Sequence, residues 1–502
     1  MAEILPRWEW RTFASAAPLA YAALDAMTPA SVEESDEVYL LAPGAYNVKM
    51  RDGLMDVKVL RDTDAAGLQR WEPILKVPFP LDADAARTVF EGIRRPLPAI
   101  PPDGLTLDAV MAAVEAGVGA GPRAVQVHKR RAHYTVGGCQ AERSMLEAGG
   151  HRTRSIAVES TDPMAVVAAV DALGLRAYRN VDVPTGLRLL LDRAPERYAV
   201  IDTGTNSIKF HITELDANGR GPWRTIVDRA VVTRLGEGLE ATGEIGAQPL
   251  ERAARVITEM AEEARSVDVR AIAVVGTAGL RIARNRAEVV ATLRARSGLP
   301  IDVISGEDEG RLGYLAVATV DGLGSEAIVV FDTGGGSSQF TFGHGPTVDE
   351  RFSVNVGAVR LTEQFGLGKA VSVDVVADVL AAIAAELTRL DGHPRPDRIV
   401  AMGGAVTNLA AVRHGLGMYG PDVVHGTVLD RAEIDRQIER YRSLDAAGRR
   451  SIVGLQPARA EVILAGACIV RTIIDKLDSE AIIVSDRGLR HGVLIERFGS
   501  GE

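Results

Sequence analysis

Two glycine-rich segments of the sequence carry the residue types that bind phosphate and cations. Val200-Ile-Asp-Thr-Gly-Thr-Asn-Ser-Ile-Lys-Phe210 aligns without gaps with Val330-Phe-Asp-Thr-Gly-Gly-Gly-Ser-Ser-Gln-Phe340, and six of the eleven positions are identical. Each copy predicts a β-hairpin in which an apolar strand ends at an aspartate and turns through small residues. Glycine lets backbone N–H groups approach a phosphate closely, and an aspartate at a strand end can hold a cation. Two copies in register therefore favour polyphosphate chemistry over a pair of unrelated tight turns.

The elements that must position these hairpins are those of an α/β protein. From Tyr198 onward, short apolar strands alternate with longer helical windows. The helical windows include residues 249–265, 308–321 and 371–390. Two similar halves facing each other would place the two turns on opposite sides of one cleft. Residues 8–160 differ, because short apolar and polar alternations broken by Gly and Pro predict an antiparallel, strand-rich domain there.

Composition and charge exclude several classes of protein. The chain has 502 residues, a net charge of -10 and 46% hydrophobic residues, as expected for a globular protein of two or more domains. The negative charge disfavours a nucleic-acid or anionic-membrane partner. Cys139 and Cys468 lie too far apart for a zinc site or a disulfide framework. With neither a secretory signal nor a transmembrane segment in the sequence, we expect a cytoplasmic location.

Five motifs follow one another across residues 197–498. They are Asp202-Thr-Gly-Thr-Asn-Ser207, Gly276-Thr-Ala-Gly-Leu-Arg281, Ser305-Gly-Glu-Asp-Glu-Gly-Arg311, Asp332-Thr-Gly-Gly-Gly-Ser337 and Ser485-Asp-Arg-Gly-Leu-Arg-His-Gly492. In this order they resemble the exopolyphosphatase and guanosine pentaphosphate phosphohydrolase family, within the actin and sugar-kinase superfamily. The resemblance implies two actin-like (ribonuclease H-like) domains around a cleft, and a homodimer.

The resemblance also implies a site. Glu309 matches the catalytic glutamate, a base that would take a proton from, or orient, the attacking water. The implied metal ligands are Asp202, Asp332 and Glu309, which would hold Mg²⁺, with Mn²⁺ as the alternative ion. The implied phosphate-binding residues are Gly204, Thr205, Asn206, Ser207, Arg281, Gly334, Gly335, Gly336 and Ser337. The alternative interpretation of Glu309 is an acidic residue at the start of a helix, where the helix dipole stabilises a negative charge without any catalytic role.

An ATP-using kinase or a sensor is the rival class within this fold. Met402-Gly-Gly-Ala-Val-Thr-Asn408 predicts a glycine turn opening a helix, which in related folds lies near an adenosine site. Family members without kinase activity also carry this turn, and it equally serves helix capping and packing. Because the sequence ends at Glu502, we expect no additional C-terminal helical domain of the kind that longer exopolyphosphatases carry.

The first domain contains a local excess of basic residues. Residues 123–154 hold seven Lys or Arg side chains against two acids. Lys129 and Arg131 alternate along a predicted strand and so share one face, as do Lys49 and Arg51, with Lys58 nearby. Inside a barrel these residues would line a tunnel for a linear polyanion. The alternative is a solvated edge strand protected by its charges.

Residues 3–162 resemble the CYTH group of triphosphate tunnel enzymes. The strands just described support this, together with Arg7-Trp-Glu9-Trp-Arg11 and Ala157-Val-Glu159, which stand where the group carries Glu-x-Glu-x-Lys and Glu-x-Glu. Half of the metal-binding glutamates are missing, which undermines metal-dependent hydrolysis more than phosphate binding. We therefore expect a polyphosphate-binding module that uses Lys49, Arg51, Lys58, Lys129 and Arg131.

These observations predict an antiparallel β-barrel α+β domain over 1–195, followed by actin-like domains over 196–325 and 326–502. The expected activity is Mg²⁺-dependent removal of terminal phosphate from inorganic polyphosphate. Because two domains of this protein are each expected to bind a linear polyphosphate, inorganic polyphosphate is the favoured substrate. The alternatives are guanosine pentaphosphate hydrolysis and a non-catalytic polyphosphate or nucleotide sensor.

Overall fold

A computed structural model of the chain describes residues 6–14, 17–64, 67–116, 122–215, 223–318, 326–345 and 347–499. The first part is an antiparallel barrel, closed by eight strands of the described residues in the order β1-β5-β4-β3-β2-β6-β7-β8. The strands are β1 (Arg7–Phe13), β2 (Ser31–Leu41), β3 (Tyr46–Arg51), β4 (Leu54–Thr63), β5 (Gln69–Pro78), β6 (Arg123–Val136), β7 (Cys139–Ala148) and β8 (His151–Ser160). The predicted antiparallel domain is confirmed, and its closed form fits a CYTH-like domain.

Five helices accompany the barrel in the described part of this region. They are α1 (Pro18–Asp25), α2 (Ala83–Gly92), α3 (Leu107–Glu115), α4 (Pro163–Ala172) and α5 (Val183–Leu191), with a 3₁₀ turn at Leu175–Ala177. Asp82, Thr106, Asp162 and Asp182 cap four of them by accepting a hydrogen bond from a first-turn N–H group. Asp182 caps α5 and so fixes the start of this helix, which packs against the barrel.

The second part is a mixed sheet in the order β11-β10-β9-β12-β13. Its strands are β9 (Glu196–Thr203), β10 (Ser207–Leu215), β11 (Arg224–Val232), β12 (Ala271–Gly276) and β13 (Asp302–Val303). Its helices are α6 (Leu239–Thr242), α7 (Ala247–Ser266), α8 (Ala278–Ile282), α9 (Arg286–Ser297) and α10 (Gly306–Ala318). β9 is buried along most of its length and pairs in parallel with β12, as the continuous apolar run predicts.

The third part repeats this plan in a sheet ordered β16-β15-β14-β17-β19-β18. Its strands are β14 (Ala327–Thr333), β15 (Ser338–His344), β16 (Thr347–Val354), β17 (Arg398–Met402), β18 (Val428–Asp430) and β19 (Ala481–Val484). Its helices are α11 (Ala358–Phe365), α12 (Val373–Glu386), α13 (Gly404–His414), α14 (Pro421–Val424), α15 (Arg431–Arg442), α16 (Ala446–Arg449), α17 (Ile463–Lys476) and α18 (Leu489–Phe498). Further 3₁₀ turns lie at Thr388–Leu390 and Pro457–Arg459.

The predicted α/β fold is confirmed, with two differences in element length. The helix predicted over 371–390 ends at Glu386, and β13, one of the short apolar strands, is only two residues long. The predicted helix end at 321 and the predicted boundary at 325 lie outside the described residues. Among the described helices, none combines the length and apolar character that crossing a bilayer requires.

The last helix joins the three parts. The ring of Phe498 in α18 stacks on Tyr198 of β9 at 4.8 Å and meets Tyr178, in the segment after the barrel, edge-on at 5.7 Å. Trp10 and Ile156 of the barrel belong to the same buried cluster. Removing the barrel would therefore expose apolar surface of the α/β part.

Candidate active site

The first repeated motif forms the hairpin between β9 and β10. Asp202 is buried at 2% exposure near the end of β9, and the N–H of Gly204 donates to the Ser207 carbonyl at 3.1 Å. The carbonyls of Thr205 and Asn206 accept hydrogen bonds from the segment that follows β11. These bonds hold the exposed turn rigidly against the sheet.

The second motif forms the matching hairpin between β14 and β15. The N–H of Gly334 donates to the Ser337 carbonyl at 2.9 Å. The carbonyls of Gly334 and Gly335 accept hydrogen bonds from the first residues of α11. Both hairpins thus use the same bond across the turn, as the sequence repeat predicts.

The expectation that every glycine N–H in these turns faces phosphate needs one correction. The N–H groups of Gly204 and Gly334 close their own turns and are not free to bind a ligand. Within the described residues, the N–H groups of Asn206, Gly335 and Gly336 donate to no other backbone group. The donors left for a phosphate therefore lie at the tips of the turns.

Glu309 lies in the first turn of α10, beside Arg281 of α8. Arg281 Nη1 donates to Glu309 Oε2 at 3.3 Å and to the Ile304 carbonyl at 2.9 Å. Burial and the negative charge of Asp202 raise the pKa of Glu309 to about 7, although Arg281 opposes the shift. A carboxyl with this pKa is suited to exchange a proton near neutral pH.

Asp202 and Asp332 act on the same carboxyl from the two hairpins. The charge of each raises the pKa of Glu309, and burial together with Asp202 raises the pKa of Asp332. The structure thus brings the three predicted metal ligands within electrostatic reach of one another.

Gly403 shapes the pocket around Asp332. Its φ is +96°, and a Cβ atom built there would lie 2.3 Å from Asp332 Oδ1. The glycine of the Met402–Asn408 turn therefore makes room for this carboxylate, and α13 begins at the next residue.

Three charged neighbours of these carboxylates were not predicted from the sequence: Lys209, Arg459 and Arg490. Lys209 Nζ lies 3.0 Å from Asp202 Oδ2, and this pairing chiefly raises the pKa of the lysine. Arg459 and Arg490 are partly buried, and their charges counter the raised pKa of Asp332. A signal for Lys209 existed, since it stands where the second copy of the repeat has Gln339.

The carboxylates fit a hard divalent cation. Oxygen ligands at two strand ends and a helix start suit Mg²⁺. Because burial and mutual repulsion raise the pKa values of Glu309 and Asp332, a cation among them would relieve that repulsion. A cavity of about 10 Å³ adjoins Glu309 and Asp332, and Thr341 Oγ1 in its wall has no partner among the described residues. That volume is close to what one water needs.

A second group with metal-binding side chains lies outside this centre. His211, Asp228 and His491 place possible ligand atoms within 4.8 Å of one another. Arg490 donates hydrogen bonds to both carboxylate oxygens of Asp228, at 2.9 and 2.8 Å. His491 Nδ1 accepts a hydrogen bond from the Gly488 N–H. This leaves His491 Nε2 to carry the proton of the neutral ring, so we assign no metal there.

The barrel encloses a cavity of about 550 Å³. All five basic residues predicted for this domain line it: Lys49, Arg51, Lys58, Lys129 and Arg131. The edge-strand alternative is excluded for β6, because the strand lies inside the closed sheet between β2 and β7. Arg130, the residue between Lys129 and Arg131, is half exposed.

Two glutamates that were not predicted from the sequence, the buried Glu37 and the partly buried Glu142, pair with four of these five cations. Glu37 is an ion-pair partner of Lys49, Arg51 and Arg131, at 3.1, 3.7 and 3.1 Å. Burial alone would raise the pKa of Glu37, but the surrounding cations, Lys49 first, lower it to about 2.

Glu142 has the same role on the other side of the cavity. It pairs with Lys129 at 2.9 Å and with Arg11 at 3.2 Å, and these cations hold its pKa low despite burial. Burial lowers the pKa of Lys129 to about 8. Four of the five cations predicted for this domain are therefore ion-paired within the cavity.

Comparisons with known proteins show which family and which solved structures this chain resembles. The Ppx/GppA phosphatase family matches residues 215–500. A crystal structure of the Aquifex aeolicus Ppx/GppA phosphatase is 32% identical with a TM-score of 0.53, covering 60% of this chain and 99% of that one. An exopolyphosphatase structure from Cytophaga hutchinsonii, 21% identical with a TM-score of 0.56, covers 61% of this chain and 99% of that one and supports the fold.

Two curated relatives match a similar region. Exopolyphosphatase 2 of Mycobacterium tuberculosis is 26% identical over 326 residues, which is 60% of this chain and 99% of that protein. The bifunctional 3-dehydroquinate synthase/phosphatase of Fusobacterium nucleatum is 25% identical over 307 residues, which is 59% of this chain and 46% of that protein.

The two sheets, each presenting a glycine hairpin to one set of carboxylates, define a protein of the actin-like class that handles phosphate. The family match covers more than half of the sequence. The chain belongs to the Ppx/GppA phosphatase family.

Proposed function

We propose that this protein is an Mg²⁺-dependent exopolyphosphatase that removes the terminal phosphate from inorganic polyphosphate. The observation that carries the proposal is that Glu309 is held by Arg281 within electrostatic reach of the carboxylates of Asp202 and Asp332. A relative named as an exopolyphosphatase supports the substrate class.

The residues divide the work of hydrolysis. Glu309 orients a water and takes its proton as the water attacks the terminal phosphorus. The cavity beside Glu309 supports a water position there, because the Thr341 hydroxyl in its wall has no hydrogen-bond partner among the described residues. The N–H groups of Asn206, Gly335 and Gly336 bind phosphate oxygens, and Arg281 adds a fixed positive charge.

Asp202 and Asp332, with Glu309 as a third ligand, would hold Mg²⁺. When bound, the cation supplies neutralisation of the charge that develops on the transferred phosphoryl group. Lys209 holds the Asp202 carboxylate in place through their ion pair. Mn²⁺ has similar ligand preferences and is the alternative ion.

The barrel is proposed as the polyphosphate-binding module. Its cavity gathers Lys49, Arg51, Lys58, Lys129 and Arg131, which exchange glutamate partners for phosphate oxygens when a chain enters. Holding the chain beside the cleft would raise the local concentration of its ends.

The test is orthophosphate release from long-chain polyphosphate with Mg²⁺, with guanosine pentaphosphate as a competing substrate. Glu309→Gln should lower kcat at least about 100-fold, the usual contribution of a general base. Glu307→Gln is the matched control, because Glu307 is exposed on the same helix turn and pairs with Arg351.

Each outcome assigns a class. Release from polyphosphate that is lost only in Glu309→Gln supports the exopolyphosphatase. Preferential release from guanosine pentaphosphate moves the protein to the pentaphosphate hydrolases. Binding of polyphosphate without any release moves it to the sensors.

A further inference from the structure

We infer that the barrel is a cup closed at one end, and that it binds the terminus of a polyphosphate chain rather than an internal stretch. The inference rests on the polyphosphate-binding role proposed for this domain. It concerns which part of the polymer the domain recognises.

The inner face of the barrel changes character along the strands. Toward one end, β6 presents Lys129 and Arg131 to the cavity, and Glu33 of β2 lies opposite Arg131. Toward the other end, the same face of β6 presents Val125 and Val127. The remaining inward residues at that end are also mostly apolar: Phe13, Tyr39, Leu41, Leu146 and Ala148.

Helix α5 and the residues just before it fill this apolar end. Val181, Val183 and Leu187 are buried with the apolar residues of the strands. Gly186 permits the contact, because a Cβ atom there would lie 2.4 Å from the ring of Phe13. Tyr39, Asp182 and Val183 line the cavity at this end.

The closure is tied to the barrel wall by hydrogen bonds. Asn180 Oδ1 accepts from the Arg11 N–H at 2.8 Å, and Asn180 Nδ2 donates to the Glu9 and Gly67 carbonyls. The Val181 N–H donates to the Arg11 carbonyl at 2.6 Å. Arg188 of α5 donates to the Ala42 carbonyl at 2.7 Å. Bonds at both ends of the segment make it a fixed floor.

The other end of the barrel is the mouth. There the cavity is lined by Ala30, Ser31, His133 and Thr135, and β2 is mostly exposed from Ser31 to Asp36. A linear polymer entering by this mouth meets the floor and cannot thread through.

The charges near the floor suit a chain terminus. Lys49 lies over the ring of Tyr39, and Arg11 and Lys129 share Glu142. A terminal phosphoryl group carries more negative charge than an internal one, so it is favoured at the deepest cations. An internal stretch would have to fold back on itself within the cavity, against its own repulsion.

The experiment compares two long-chain polyphosphates that differ only at their ends. One has free termini, and in the other both terminal phosphoryl groups are blocked as bulky phosphoramidates. Binding is measured on the full chain carrying Glu309→Gln, to prevent hydrolysis, by the fluorescence of Trp71, which lines the cavity. Trp71→Phe assigns the signal to this residue.

We expect the free-ended chain to change Trp71 fluorescence and the blocked chain to bind at least about tenfold more weakly at this site. The count of protein molecules on a free-ended chain should stay at one per terminus as the chain is lengthened. Equal binding of the blocked chain, or a count that grows with length, overturns the inference. A Trp71 signal from neither chain overturns the proposed binding role of the barrel itself.

Two variants locate the effect. Lys129→Gln with Glu142→Gln removes one cation and one anion of the cavity, so its net charge is unchanged and Arg11 keeps its ion pair with Glu9. This variant should weaken the Trp71 response to free-ended chains about tenfold. Arg130→Gln changes the adjacent, half-exposed residue of the same strand and should leave the response unchanged. Equal responses in both variants would contradict binding inside the cup.

Discussion

Arg281 Nη1 and Glu309 Oε2 lie 3.3 Å apart, joining the helix after β12 to the helix after β13. The arginine also donates to the Ile304 carbonyl, so it is oriented from two sides. A base that is fixed by a cation yet keeps a raised pKa is poised to lose and regain a proton without moving.

The acidic side of the pH profile should follow Glu309. Because the base must be ionised and burial with Asp202 raises its pKa to about 7, kcat/KM should fall about tenfold per pH unit below that value. A divalent cation favours the ionised carboxylate, so raising Mg²⁺ through its half-saturating range should move the midpoint to lower pH. Initial rates measured across pH at several Mg²⁺ concentrations give this midpoint. A pH midpoint that stays the same at all Mg²⁺ concentrations would contradict the position of Glu309 beside the metal.

Asp202→Asn should raise the Mg²⁺ concentration for half-maximal rate by at least about tenfold, because an amide replaces a charged ligand. The same change removes a negative charge that raises the pKa of Glu309, so the acidic midpoint should fall. Titration of activity with Mg²⁺ after chelator treatment measures the first effect. Asp308→Asn is the control, since Asp308 bonds to Ser305 at the start of α10; a similar loss in this variant would argue against a specific role for Asp202.

Gly403→Ala should reduce kcat about tenfold or more, because the new Cβ would displace the Asp332 carboxylate. Gly415→Ala is a matched control. Its φ of +61° imposes a similar backbone cost, but no atom of the part of the chain that the structure describes lies within 4 Å of the added carbon. Steady-state rates should therefore separate the two variants even where their melting temperatures fall together.

Glu37→Gln should lower the free energy of unfolding by about 3–5 kcal/mol, since it leaves Lys49, Arg51 and Arg131 without their shared buried partner. Urea denaturation followed by circular dichroism measures this, provided that the barrel and the α/β part unfold together. Asp84→Asn, in the exposed pair with Arg87, should cost less than about 1 kcal/mol.

The same glutamate predicts an acid limit for the wild-type barrel. The folded-state pKa of Glu37 is about 2, below its ordinary value of 4.5, so its stabilisation is complete above pH 4.5 and is lost as the pH falls toward 2. The shift corresponds to about 3 kcal/mol. Glu37→Gln should remove this part of the pH dependence, and an unchanged acid transition in the variant would contradict it.

The sequence allowed much of this structure to be predicted, because the informative residues are local. The Asp-Thr-Gly repeat specifies its two hairpins through short-range turn chemistry, and alternation along β6 specifies which basic residues face inward. Both patterns involve residues that are close in sequence, so they can be recognised without knowledge of the tertiary fold.

What escaped prediction depends on contacts between distant segments. Glu37 is one of several acids in β2, and only barrel closure places it against Lys49, Arg51 and Arg131. Arg459 stands 127 residues after Asp332, so no spacing rule relates them. The use of the Gly204 and Gly334 N–H groups within their own turns likewise becomes apparent only from the hydrogen bonds.

Helix α5 is both the floor of the barrel and the link to β9, which carries Asp202. The barrel as a binding unit therefore does not end with its last strand at Ser160, but with Leu191. If residues 6–160 were grafted onto another enzyme, the barrel would lack the helix that closes one of its ends. A graft extended to residue 191 would keep that end closed, and it would place the barrel within a few residues of the first strand of the recipient domain.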